Sequence, residues 1–188
     1  MKILFFSIVT SAFFLAACNN NSSTTQDKKN AEADTETTAS VITSDNAISG
    51  LLTNYIEIKN ALVADNDKEA GSAGDAMAKT FDNFDKTSLS PEQSKVYNDI
   101  VEDAREHAEH IGANAGNIEH QREHFETLSQ EMYDLVKSVG AGRQLYFTNC
   151  PMYNNNKGAN WLSETKEIKN PYFGQKMAKC GSVKEELN

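Results

Sequence analysis

From about Asp45 onward, apolar residues recur at intervals of three and four, the spacing that gathers side chains on one face of an α-helix. Ile48, Leu51, Leu52, Tyr55, Ile58 and Leu62 make the first such stripe, and Asn66-Asp67 closes that helix and offers a cap to the next. The second stripe is Ala70, Ala73, Met77, Phe81 and Phe84. Gly71 and Gly74 lie within it and either weaken the helix or admit a close neighbour. Ser90-Pro91-Glu92-Gln93 is a strong start signal: a capping serine, a proline at the first helical position and a glutamine that completes a capping box. The third helix then places Tyr97, Ile100, Val101, Ala104, Ala108 and Ile111 on one face. Gly112-Ala113-Asn114-Ala115-Gly116 ends it, and Asn117 caps a fourth helix striped by Ile118, Phe125, Leu128, Met132, Leu135, Val136 and Val139. Gly140-Ala141-Gly142 ends the run. Short links favour antiparallel neighbours, so the pattern predicts an all-α fold, an up-down four-helix bundle over residues 45–142.

Beyond residue 142 the helical period stops. Residues 143–188 read as an irregular, turn-rich subdomain packed on the bundle. Gln144-Leu145-Tyr146-Phe147-Thr148 has the composition of a short strand, whereas Asn154 to Gly158 and Asn170-Pro171 are turn chemistry. Trp161, Tyr172 and Phe173 are the residues expected to dock this segment on the helices. The segment also holds two of the three cysteines and two of the five methionines, as Cys150-Pro151-Met152 and Met177-Ala178-Lys179-Cys180. Thiolates and thioethers are soft ligands that select Cu(I). A disulfide pinning the loop needs only Cys150 and Cys180, and both readings stay open.

The N-terminus adds a compartment. Lys2, a short apolar run and Leu15-Ala16-Ala17-Cys18 match a bacterial lipoprotein signal, too short for a permanent membrane span. The expectation is a signal peptide over residues 1–17 and a lipidated Cys18. A polar tether to residue 44 would follow, on a protein anchored to the envelope and facing the periplasm, with the outer membrane as its address. The net charge of −9 argues against nucleic acid and against an anionic lipid surface as partner, and permits a cationic one.

All four histidines flank one helix turn. His120 and His124 share a face at i, i+4, and His107 and His110 stand at i, i+3. Antiparallel packing across residues 112–116 would bring both pairs to the same end, where imidazoles suit copper, zinc or nickel; the plainer alternative is solvated polar residues. A di-iron bundle needs Glu-x-x-His, and the residues three before the histidines are Ala104, His107, Asn117 and Gln121. Arg122 is expected to pair with Glu106 or Glu109 of the third helix. Phosphate-binding loops, dinucleotide fingerprints, haem Cys-x-x-Cys-His and His-Glu-x-x-His are all missing from the sequence, and no enzyme activity is expected.

The ordered combination of Ile118 to Phe125, Cys150-Pro151-Met152, Trp161-Leu162-Ser163, Ile168 to Gly174, Met177 and Cys180-Gly181 resembles an uncharacterised-domain family of Gram-negative envelope lipoproteins. That domain also occurs fused to periplasmic adaptor proteins of Cus-type copper/silver efflux pumps. The resemblance implies an envelope helical domain linked to heavy-metal handling. Two functions follow as expectations. One is a module binding Cu(I) or Ag(I), as buffer or accessory to efflux, with Cys150, Met152, Met177 and Cys180 as primary ligands and His120 and His124 as auxiliaries. The other is an interaction domain without metal, stapled by a Cys150–Cys180 disulfide and docking to an efflux adaptor or another envelope protein.

Overall fold

Four long helices carry the stripes: α1 (Ser49–Val63), α2 (Asp67–Asp82), α3 (Pro91–Ala113) and α4 (Ile118–Val139). They belong to a computed structural model that describes residues 47–188. The signal segment, Cys18 and the tether lie outside the described residues. The polar caps work as their chemistry dictates. Asn66 accepts the Glu69 backbone N–H, Ser90 and Gln93 form the reciprocal capping box, and Asn117 accepts the His120 N–H. Long-range contacts fix the directions of the helices. Asn54 Nδ2 donates to Thr80 Oγ1 at 2.7 Å, Phe84 stacks on Tyr97 at 4.4 Å, and Gln93 Nε2 donates to the Ser138 carbonyl at 3.3 Å. The first and last join the early part of one helix to the late part of the next, Phe84–Tyr97 closes the turn between α2 and α3, and Gly71 early in α2 faces Gly112 and Ala115 at and just past the end of α3, so consecutive helices run antiparallel. Leu51, Tyr55 and Leu62 of α1, Met77 of α2, Ile111 of α3, and Phe125, Leu128 and Met132 of α4 are fully buried between them.

Gly74 resolves one open choice. A Cβ there would stand 2.7 Å from the Ala108 carbonyl and 2.8 Å from the Gly112 nitrogen. The glycine is therefore what lets α2 lie against α3, and the helix keeps its length despite it.

The all-α expectation needs correction: the chain is mostly helical but carries a small C-terminal sheet. Strands β1 (Leu145–Cys150), β2 (Ala159–Ser163) and β3 (Ser182–Leu187) form an antiparallel sheet in the order β2-β1-β3. Thr148 stands opposite Trp161 on one side of β1, and Asn149 opposite Ser182 on the other. Strands of five or six residues leave little periodic signal, and β3 pairs with a strand some thirty residues earlier, so its polar sequence Ser182-Val183-Lys184-Glu185-Glu186 carries no strand signal of its own. Between β1 and β2 the chain turns through Asn154, Asn155 and Asn156 at φ 48°, 56° and 64°. Asparagine is the side chain that tolerates this left-handed region best. The sheet is tied to the bundle by Tyr55, whose hydroxyl accepts the Leu162 N–H at 3.0 Å and bonds Ser129 Oγ at 2.8 Å. A row of rings continues the join, Tyr55 to Phe125 at 5.1 Å and Phe125 to Tyr172 at 5.8 Å. Among the described residues no helix is long and apolar enough to cross a membrane.

Candidate metal centre

Because α3 and α4 are antiparallel across a short link, the last turns of one face the first turns of the other. His107 and His110 thereby meet His120 and His124. His124 is the hub. Its Nδ1 lies 2.9 Å from His107 Nδ1 and its Nε2 lies 3.2 Å from His120 Nε2, while its ring stacks on that of His110 at 4.4 Å and 6°. One ligand atom from each of His110, His120 and His124 falls within 4.8 Å of the others. Two imidazole nitrogens on one ion, each at ~2.0–2.1 Å, stand about 3.3–4.1 Å apart, so the His120–His124 pair is already near ligand spacing. The parallel His110 ring must tilt out of its stack to join them.

The remaining ring nitrogens are also held. His120 Nδ1 meets Glu123 Oε2 at 2.9 Å, His110 Nε2 faces Glu106 Oε1 at 3.5 Å, and His124 Nδ1 is engaged by His107. A partner on the far nitrogen fixes the tautomer and aims the free electron pair, the arrangement found behind metal-bound histidines. Burial pushes the His124 imidazole down to about 4, and the neighbouring His110, His107 and His120 add to it. Burial is also the main cause that lowers His107. His124 is thus neutral at pH 7, the form that binds a metal.

The cysteines form a second feature. Cys150 Sγ and Cys180 Sγ are thiols 2.8 Å apart. Two sulfurs on one ion, each at ~2.3 Å, stand about 3.8 Å apart or more, so this pair is closer than a shared ion would hold it. Burial, and then the hydrogen bond with Cys150, push the Cys180 thiol up to about 11, which opposes the thiolate a metal requires. The methionines are near in the chain but differently engaged. The Met177 carbonyl accepts the Cys180 N–H at 2.9 Å. Met152, 49% exposed, lines a cavity of about 660 Å³ together with Tyr153, Tyr172, Glu119, Glu123 and Glu126.

A family described as protein of unknown function, DUF3347, matches residues 51–144. The chain belongs to this family. No curated protein and no solved structure matches it. The DUF3347 match spans the helices from Leu51 to Val139, so all four histidines lie inside it, and it stops before β1, leaving Cys150, Met152, Met177 and Cys180 outside.

Within the DUF3347 segment, Arg122 overturns one expectation. It does not reach Glu106 or Glu109 on α3, and Arg105 takes Glu109 instead. Arg122 points to the opposite side of α4, where its Nε donates to the Pro171 carbonyl at 2.8 Å and its Nη2 to the Leu62 carbonyl at 3.0 Å and to Asp65 Oδ1 at 2.5 Å. Desolvation raises the Asp65 carboxyl, but hydrogen bonds from the Gln175 N–H and Arg122 outweigh it and leave the group below its usual value. Arg122 thus ties α1, α4 and the segment before β3 together. Of the histidines, the ligand set expected from sequence holds His120 and His124 beside the sulfur quartet; the geometry adds His110 as a third ring nitrogen and His107 as the partner of His124. One signal is in the chain: every histidine follows a glutamate, as Glu106-His107, Glu109-His110, Glu119-His120 and Glu123-His124, and two of these glutamates, Glu106 and Glu123, reach the ring nitrogens of His110 and His120.

Proposed function

We propose that this DUF3347 chain is a metal-binding module of the cell envelope, with His110, His120 and His124 as the ligand set and His107, Glu106 and Glu123 as the groups that orient it. The observation that carries the reading is the convergence of three imidazoles within 4.8 Å, each with its far nitrogen engaged. Imidazole donors suit copper as well as zinc or nickel. The resemblance to domains fused to copper/silver efflux adaptors supports Cu(I) or Ag(I) and a role as buffer or efflux accessory. Lipid attachment at Cys18 would hold the module at the membrane. The sulfur quartet has less support as primary ligands, given a sulfur pair only 2.8 Å apart.

The test is a Cu(I) titration of the reduced chain against a competing chelator. Wild type is expected to take up one ion per chain. His124→Ala should weaken binding by more than about 100-fold and Glu123→Gln by about 10-fold, while Met152→Leu and Met177→Leu leave it unchanged. Loss of affinity in the methionine variants with none in His124→Ala would move the ligand set to sulfur. Absence of binding by the wild type would leave the reading of an interaction domain, whose docking surface would be the cavity beside Met152.

A further inference from the structure

Cys150 ends the central strand β1 and has no exposed surface, and the facing Cys180 is partly exposed. The two are brought together by contacts that do not involve their sulfurs. Strand pairing places Asn149 opposite Ser182, which sets Cys150 beside the chain that enters β3. Asn170, itself fully buried, donates from Nδ2 to the Cys180 carbonyl at 2.8 Å, and its Oδ1 accepts the N–H groups of Tyr172 and Phe173. The Asn170 N–H donates to the Ala178 carbonyl and the Cys180 N–H to the Met177 carbonyl, so the backbone around Cys180 is fixed from both sides. The sulfurs then stand 2.8 Å apart, within reach of a covalent bond after a small shift. The chain between them carries Met152, Tyr153, Tyr172 and Phe173, one wall of the 660 Å³ cavity.

We propose that Cys150 and Cys180 are a dithiol–disulfide pair that closes in a fixed order, Cys180 first and Cys150 second, and that closure locks the cavity wall onto β1. The inference does not rest on the histidine site. Only Cys180 is open to an external oxidant. With a small-molecule disulfide as oxidant, the Cys180 thiolate attacks one sulfur of the reagent, forms a mixed disulfide and releases one reagent thiol. The Cys150 thiolate then attacks the Cys180 sulfur and releases the second. The protein gives up two electrons and two protons, and the reagent disulfide is reduced to two thiols. Because the protein must present a thiolate, the raised Cys180 thiol makes the first step slow at neutral pH and faster as pH rises.

The experiment uses the full chain carrying Cys18→Ser, so that only these two cysteines remain, and oxidised glutathione as reagent, read by intact mass. The parent protein should lose two hydrogens and retain no glutathione. With Cys150→Ser added, one glutathione should remain on Cys180. With Cys180→Ser added, the folded protein should stay unmodified, because Cys150 is buried. Persistence of two free thiols in the parent, or equal modification of the two variants, would overturn the proposal. Should either variant fail to fold by circular dichroism, the parent decides alone. Its thermal midpoint should rise by several degrees on oxidation and return on reduction, and an unchanged or lower midpoint would contradict a closure the fold has prepared.

Discussion

Glu131 is a residue whose burden can be read directly. It lies on α4 with one carboxylate oxygen buried and without a hydrogen-bond partner. Burial pushes its carboxyl up to about 8, and Asp103 on α3 and Asp134 on α4 add like-charge repulsion. A folded-state value above the unfolded one means that the native protein holds the extra proton between about pH 4.5 and 8. The contribution to stability is therefore full below that window and is lost as pH rises through it. Glu131→Gln keeps the shape and removes the titration. Thermal melts at pH 5 and pH 8 should show a smaller fall in the midpoint for the variant, and a higher midpoint than wild type at pH 8. An identical slope in both proteins would reject the assignment. Part of this is visible in the sequence, since Glu131 stands between Leu128 and Leu135 of the core stripe and three residues before Asp134, but the burial and the approach of Asp103 come from the packing of α3 on α4. Arg122 has the same lesson: the sequence points it to Glu106 or Glu109 on the neighbouring helix, whereas its partners Leu62, Asp65 and Pro171 lie 49 or more residues away in sequence.

Among the elements, α4 carries the most. Its stripe faces the bundle, its first turns hold His120 and His124, and β2 packs on it. Leu128 sits at the centre of that stripe with no exposed surface. Leu128→Ala should cost about 2–5 kcal/mol in chemical denaturation, the range for a truncated core leucine, and a near-neutral result would mean that the helix is faced differently. The helices were legible because each stripe runs for four turns or more and the caps stand where the sequence marks them. The strands were not, except for the aromatic run at β1. Trp161 of β2 reads as a docking residue of an irregular segment, and β3 has a surface sequence that acquires its meaning only from pairing with β1. The histidine site was half legible. Spacing gives the pairs His107/His110 and His120/His124, and antiparallel packing across residues 112–116 predicts that they share one end; which ring atoms approach depends on how closely α3 meets α4, which no single-helix period contains.

Over the whole molecule, the pieces describe an acidic chain with an imidazole cluster at one end of its bundle and a paired-cysteine loop on its sheet. The carboxylates beside the histidines suit a cation, and the depressed His124 keeps the cluster's hub neutral at physiological pH. On the two proposals the labour is divided between two sets of residues, imidazole nitrogen for a metal and the cysteine sulfurs for the fold. X-ray absorption at the copper edge tests that division most directly, on the reduced full chain carrying Cys18→Ser after loading with one equivalent of Cu(I) and gel filtration. Copper should stay with the protein, with nitrogen neighbours at about 2.0 Å and no sulfur neighbour at ~2.3 Å. A sulfur shell in that spectrum, or copper lost on the column, would contradict it.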